Sequence, residues 1–500
     1  MTRSFLAAGA LLCLLNMPNL AQADYTIVIH KEESRGTWEG WGGSICWWGH
    51  GVGQSAYESL YADLLFTMKP VAVLNEQAPG LGLSIVRYNV GGGGKGDTVA
   101  GISERLPANF PWYKDIDGYW VNWESDSPES SSYDWSRDAN QRSMLRAATT
   151  RGAKVEFFAN APMWWMTEEK SSAGGKLLPS RRHDFAKYLA TVVKQAQDKW
   201  GVTVASLSPF NEPSAGWWNY PKEQEGCNIS RDAQAEILGL LRHELNLRGL
   251  SSVSIAASDE NAMTEAVTTY DFFKNKTVAV GPKQAKVSDL VDRVNVHSYS
   301  GLELWRDNKA RTKLRTTVGN KPIWMSEVGD GNGGGMGMAQ SITEDINFLR
   351  ASAWIYWQPI EPFSGWGLVN AKYDGKEDKE SPERAKPKWL YQKYYTFAQF
   401  TRFLRPGHQV IGTNDHNTIC SYDPARKALV LITVNSGTPQ KINIDLSNLA
   451  SFGTTASVTV TNTAGPKKLS ESTVAIKDKV VTIDAEANSV YSTVISGVSL

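Results

Sequence analysis

Val204-Ala-Ser-Leu-Ser-Pro-Phe-Asn-Glu-Pro213 begins as an apolar, strand-like run and stops on Asn211, Glu212 and Pro213. A buried strand that ends on a carboxylic acid, with proline barring its extension, holds that acid at a rim rather than in a core. A second segment, Pro322-Ile-Trp-Met-Ser-Glu-Val-Gly329, also runs apolar and ends on Glu327. Two strands that each bring one glutamate to the same end of a barrel meet the needs of a double-displacement glycosidase. One carboxylic acid protonates the leaving oxygen and one carboxylate attacks the anomeric carbon, the two roughly 5–5.5 Å apart. Either glutamate alone reads equally well as a structural ion-pair partner; the pair does not.

Working outward, apolar runs recur at Gly40–Cys46, Leu83–Val90, Val155–Ala161, Val204–Phe210, Val253–Ser258, Arg293–His297, Pro322–Ser326 and Ala353–Trp357. Amphipathic helices are predicted in several gaps, at Arg182–Lys199, Arg231–Leu247 and Gln340–Leu349. Eight buried strands alternating with helices predict an α/β fold, a (β/α)8 TIM barrel with its chemistry at the strands' C-terminal ends. A doubly wound open sheet is disfavoured, because no G-x-G-x-x-G follows any run and polar residues close nearly all of them. Residues 107–138, rich in Trp, Tyr, Ser and Asp, read as a long loop near the barrel mouth.

All nineteen tryptophans lie between Trp38 and Trp389. Beyond them, short β-branched runs broken by Gly, Asn and Pro predict a C-terminal β-sandwich, which the lone strand Tyr25–His30 completes. The first residues carry Arg3, an apolar run from Phe5 to Leu15 and the small-x-small triplet Ala21-Gln22-Ala23, the pattern of a cleaved secretory signal. The expected organisation is therefore a signal peptide over 1–23, a sandwich strand within 24–35, a catalytic barrel over 36–399 and a sandwich over 400–500, in a secreted, extracellular protein.

Formal net charge is zero, so no global field draws nucleic acid or anionic lipid, and no nucleic-acid or membrane partner is expected. Three cysteines remain after the leader, Cys46, Cys227 and Cys420, which allows one disulfide at most. They show no metal spacing, and the seven histidines form no H-x-x-x-H pair, so no metal or other cofactor is expected. Asn228-Ile-Ser and Asn275-Lys-Thr are glycosylation triplets. The many flat indoles suit sugar rings, although tryptophan is equally a core residue.

The ends of the runs supply the remaining candidates. Gly40 to His50 reads G-W-G-G-S-I-C-W-W-G-H, where the glycines permit close passage beneath a ligand and Trp47 and Trp48 are candidate sugar floors. Arg87 within a strand needs a carboxylate, and Glu327 is the expected partner; Asn89 follows at the rim. The glycines before Lys95 are no phosphate loop, because Asn89 stands where its first glycine belongs and Gly96 follows the lysine. Asn160 and Trp165 close the third run, and Glu156 within it reads as buried and paired. Asp259-Glu260-Asn261 offers rival rim carboxylates without a matching partner. His297 and Tyr299 fall on one side by alternation, and Trp357 and Trp366 follow the last run. In the resulting scheme Glu212 is the acid/base, Asn211 holds the sugar 2-hydroxyl and Glu327 is the nucleophile.

Asn-Glu-Pro after the fourth run, G-W-G-G-S, A-P-x-W-W-M, H-x-Y and M-S-E-x-G together resemble glycoside hydrolase family 30 over nearly all of the mature chain. W-G-G-S-I-C-W-W-G-H and N-V-G-G-G-G are most similar to its fungal endo-β-1,6-galactanases. The resemblance implies a monomeric, retaining endo-enzyme acting on a polysaccharide, β-1,6-galactan or arabinogalactan side chains. β-1,6-Glucanases, xylanases and glucosylceramidases of the family are the alternatives, and a non-catalytic carbohydrate-binding protein is the alternative outside enzymes. A-N-A-P at Asn160 departs from the S-P-W-S of many members, so the stacking residues there do not carry over.

Overall fold

The computed structural model describes residues 25–94, 96–299, 308–363, 365–381 and 383–500; the expected leader over 1–23 and Lys95 lie outside the described residues. After an N-terminal strand β1 (Tyr25–Thr37), eight strands close a parallel barrel in chain order. They are β2 (Gly40–Ser44), β3 (Ile85–Asn89), β4 (Lys154–Phe158), β5 (Val204–Ser208), β6 (Ser254–Glu260), β7 (Arg293–His297), β8 (Ile323–Val328) and β9 (Ala353–Tyr356). Each coincides with or overlaps one of the eight runs. The intervening and closing helices are α1 (Glu58–Phe66), α2 (Ala139–Thr149), α3 (Arg182–Gln195), α4 (Arg231–Leu247), α5 (Met263–Asn275), α6 (Asn308–Val318), α7 (Met336–Glu344) and α8 (Gln392–Thr401).

β3, β7, β8 and β9 are buried at every position, as parallel strands covered on both faces must be. The glycines of β2 serve packing rather than a ligand: a Cβ on Gly42 would lie 2.4 Å from the Ile355 side chain, and one on Gly43 2.9 Å from Pro359. Inside the barrel, Ile85, Trp324, Ala353 and Ile355 make a small apolar plug. Above it the interior becomes polar, with alternate residues Arg87, Glu156, Ser206, Arg293 and Asn295 joined by hydrogen bonds.

Eight C-terminal strands follow: β10 (Gln409–Thr413), β11 (Thr418–Asp423), β12 (Ala428–Asn435), β13 (Gln440–Asp445), β14 (Thr455–Asn462), β15 (Ser470–Ala475), β16 (Val480–Ala485) and β17 (Ser489–Ser496). With β1 they form one ladder of order β15-β14-β17-β12-β11-β10-β1-β13-β16. β1 is the hinge of that ladder. Residues from Ile29 onward pair antiparallel with β10, and Tyr25 to Val28 pair parallel with β13. The two halves bury Ile27, Leu431, Ile442 and Ile483 between them. Among the described residues no helix is long and apolar enough to cross a membrane.

The sandwich and barrel share a core: Val430, Ile432, Val434 and Val490 belong to the same apolar cluster as Trp41, Phe397 and Phe400. Gln399 on α8 also bonds Thr461 and Ser492. Deleting the chain from Phe400 is therefore expected to uncover this seam and give insoluble protein, measured as the soluble fraction on expression. A soluble, fully active truncation would refute the shared core.

Candidate active site

The C-terminal mouth of the barrel opens into a cleft of about 580 Å³. Its floor is built by two strand irregularities. On β8 the register advances by one extra residue against both neighbours, since Val296 faces Met325 but His297 faces Glu327, and Met325 faces Trp354 but Val328 faces Tyr356. Such a bulge turns two consecutive side chains toward one face. Ser326 bonds Asp259 inside the barrel, and Glu327 still lines the cleft. β6 carries a matching irregularity between Ser258 and Glu260, with Asp259 at φ +53°.

Glu212 lies beyond β5 at φ +49°, a conformation a non-glycine residue keeps only when its surroundings hold it. Its N–H donates to the Asp259 carbonyl at 2.8 Å, and the Trp218 indole donates to its carbonyl at 2.9 Å. Its carboxylate faces His297 Nδ1 at 3.1 Å and Asn261 Nδ2 at 3.4 Å. Oxygens of Glu212 and Glu327 come within 4.8 Å of one another.

His297 spans the layers. Its Nε2 lies 3.1 Å from Asp259 and its Nδ1 3.1 Å from Glu212 and 3.7 Å from Glu327. Burial alone would lower its pKa, but Glu327, Asp259 and Glu212 outweigh burial and raise it to about 10. Both ring nitrogens therefore donate, and the ring is an imidazolium. Glu212, His297 and Glu327 have the spacing of a metal-ligand set. Each His297 nitrogen, however, already faces a carboxylate oxygen at 3.1 Å, the arrangement of an ion-paired ring rather than of a metal ligand. Burial raises Asp259, yet Arg87, His297 and Ser208 pull its pKa well below the usual carboxylate range. For Glu327 burial leads and the Glu212 carboxylate adds to it, against His297 and Arg87; the result is about 7.

Arg87, fully buried and so out of reach of substrate, meets its expected partner Glu327 but holds other groups more closely. Its main partners are Glu156 at 3.0 Å, Asp259 at 3.1 Å and the Ser326 carbonyl at 2.9 Å, while Glu327 is 3.6 Å away. The direct pairing of Arg87 with Glu156 across β3 and β4 sets this choice. Glu156 is buried and also joined to Arg293. Asp259 lies beneath the cleft rather than in it. Glu260 turns to Ser214 and Thr269, which leaves Asn261 as the residue of that triplet that lines the cleft.

Of the other expected residues, Trp47, Asn160, Asn211 and Tyr299 line the cleft, as do Trp357 and Trp366. Tyr299 is hydrogen-bonded to Glu327, and Trp47 meets Trp357 edge-on at 5.0 Å. The Oδ1 atoms of Asn160 and Asn211 are buried with no partner among the described residues. Three expectations fail. Trp48 is fully buried, its indole bonded to the Ser44 carbonyl. Trp165 is buried and bonded to the Trp120 carbonyl. Asn89 is buried and donates to Glu225. Asn228 is also a poor glycosylation acceptor, because its half-buried amide donates to the carbonyls of Pro213 and Ala215 in the Glu212 loop; Asn275 is exposed. Cys46, Cys227 and Cys420 are all free and buried. The residues that sequence reasoning missed are Lys114, Gln224, Glu361 and Phe363, all from loops or elements too short to show periodicity.

Residues 24–301 match the signature of O-glycosyl hydrolase family 30. The chain is 36% identical to an endo-β-1,6-galactanase of Hypocrea rufa over 87% of its own length and 86% of that protein. It is 24% identical to an exo-β-1,6-galactobiohydrolase of Bifidobacterium longum over 82% of its own length and 34% of that protein. In fold it is similar to a conserved exported protein of Bacteroides fragilis (TM-score 0.74, 20% identity, 94% of this chain and 100% of the other). It is also similar to the catalytic domain of the family 30 xylanase C of Talaromyces cellulolyticus (TM-score 0.67, 18% identity, 94% and 100%).

Proposed function

The chain belongs to O-glycosyl hydrolase family 30, and from that membership we propose that it is a secreted, monomeric enzyme cleaving β-1,6-linked galactan internally with retention of configuration. A polysaccharide is the substrate class of such a hydrolase. The observation that carries the reaction type is the pair Glu212 and Glu327, with oxygens within 4.8 Å. That spacing leaves no room for the water an inverting enzyme places between its carboxyls. Glu212 protonates the glycosidic oxygen and then, as a carboxylate, activates the water that releases the product. Glu327 attacks the anomeric carbon, and Tyr299 holds it from one side. Asn211 and Asn160 offer carbonyl oxygens to sugar hydroxyls. The galactan reading rests on the similarity to the Hypocrea enzyme, and the endo mode on a cleft whose rim keeps Phe363 and Trp366 exposed. Purified protein is expected to hydrolyse β-1,6-galactan faster than β-1,6-glucan, β-1,3-galactan or xylan and to release oligosaccharides of several sizes. A faster rate on another polymer, or release of one size only, would overturn it.

Two carboxyls so close keep one proton between them in the working enzyme. The basic limb of kcat/KM is therefore expected near pH 7, where the pair loses the shared proton that the acid must deliver. In Glu212→Gln, assayed with an activated aryl galactoside that needs no acid, that limb should disappear, because the ionised Glu327 that remains is the form that attacks. An unmoved limb would assign it elsewhere.

A further inference from the structure

Glu361 has no part in the chemistry described above. It sits on the short strand Ile360–Glu361 beyond β9, is 4% exposed, and lines the cleft. Its Oε2 is buried without a hydrogen-bond partner among the described residues. A native protein rarely leaves a buried carboxyl oxygen unsatisfied, and such an orphan needs a reason. Facing the same cleft, Lys114 holds its ammonium 4.1 Å above the ring of Trp47 and makes no side-chain hydrogen bond among the described residues. The two attract each other but do not close to an ion pair. Lys114 and Asp374 are the charges that act on Glu361. Burial, against the pull of Lys114, raises its pKa to about 8.

We propose that Glu361 and Lys114 form a specificity clamp for a galactose unit flanking the scissile bond. Their acceptor and donor grip the neighbouring 3- and 4-hydroxyls of a ring whose apolar face meets one of the indoles lining the cleft. The chemistry of galactose fits these three parts. Its axial 4-hydroxyl sits cis to the 3-hydroxyl, within reach of one carboxyl–amine pair, and leaves the opposite face continuous and apolar for an indole. In glucose the 4-hydroxyl is equatorial, so one half of the clamp stays unpaired, which is the costly outcome for a site built on hydrogen bonds. The inference deepens the galactan reading and rests on it.

The test is steady-state kinetics of wild type, Glu361→Gln, Glu361→Leu and Lys114→Met on matched β-1,6-galacto- and β-1,6-gluco-oligosaccharides, with thermal melts of each. Glu361→Leu and Lys114→Met are expected to lose roughly 10- to 100-fold in kcat/KM on the galacto series, carried by KM, as for one lost charge-assisted hydrogen bond. The gluco series should hardly change. Glu361→Gln, which keeps an acceptor, should lose less. Tm should hold or rise for Glu361→Leu, because an unsatisfied acid leaves the interior. Equal losses on both series, losses in kcat alone, a lowered Tm without a change in preference, or no change would each overturn the clamp. The galactan reading has a separate test in the preference of the wild type: should glucose be preferred there, that reading falls, and the clamp stands or falls on whether the variants shift the preference.

Discussion

Glu327→Ala is expected to lower turnover of β-1,6-galactan on the order of 10⁴-fold or more, because the covalent route disappears with its nucleophile. Azide should restore part of the rate on an activated aryl galactoside by entering the space left by the carboxylate, on the face opposite the leaving group, and the product should be the α-galactosyl azide. In Glu212→Ala the same anion should instead intercept the glycosyl-enzyme from the other face and give the β-azide. The two opposite anomers, read by NMR, distinguish the two glutamates more sharply than any loss of rate. The assignment is wrong if the products are exchanged, or if the early wild-type product has inverted configuration. The acid alone should be worth roughly 10²–10⁴-fold on natural polymer and far less on a substrate with a good leaving group.

Arg87→Met should have the second largest effect, this time on stability. Arg87 is fully buried between Glu156 and Asp259, and truncating one partner of a buried ion pair leaves the other charge uncompensated, at about 3–5 kcal/mol. The denaturant midpoint should fall accordingly. Activity should fall further, since Asp259 then gains proton affinity and no longer holds His297 against Glu212. Arg87→Lys should recover part of the midpoint through charge alone, without the fork that reaches Glu156, Asp259 and the Ser326 carbonyl together. An unchanged midpoint for the methionine variant would mean that the cage does not hold the barrel interior.

What the sequence discloses follows from which features have a local signature. Eight apolar runs closed by polar residues are visible because a doubly covered strand must be apolar. Glu212 and Glu327 stand out because a carboxylic acid at the end of such a run is costly anywhere but a rim. The bulge at Ser326 leaves no mark, as one extra residue in a strand is only a change of partner. The same holds for Arg87, whose partner depends on strand register and not on distance along the chain. A Trp-Trp dipeptide places one indole in the cleft and one in the core without saying which: Trp47 lines the cleft, and Trp48 does not. Lys114 and Glu361 reach the cleft from a single helical turn and a two-residue strand, too short for any period to project a side chain.

The buried cage has a dynamic consequence. It holds three cations, Arg87, Arg293 and His297, against four carboxyls, Glu156, Asp259, Glu212 and Glu327, so one shared proton makes it neutral. In the proposed reaction Glu327 becomes a glycosyl ester and loses its negative charge, and at the same step Glu212 gives up its proton and becomes negative. The total never changes. A single charge crosses less than 5 Å, beneath an imidazolium that already lies 3.1 Å from one end of the journey and 3.7 Å from the other. The surrounding dipoles thus have little to rearrange at either half of the reaction, and the barrel interior need exchange no proton with bulk water while the sugar is attached.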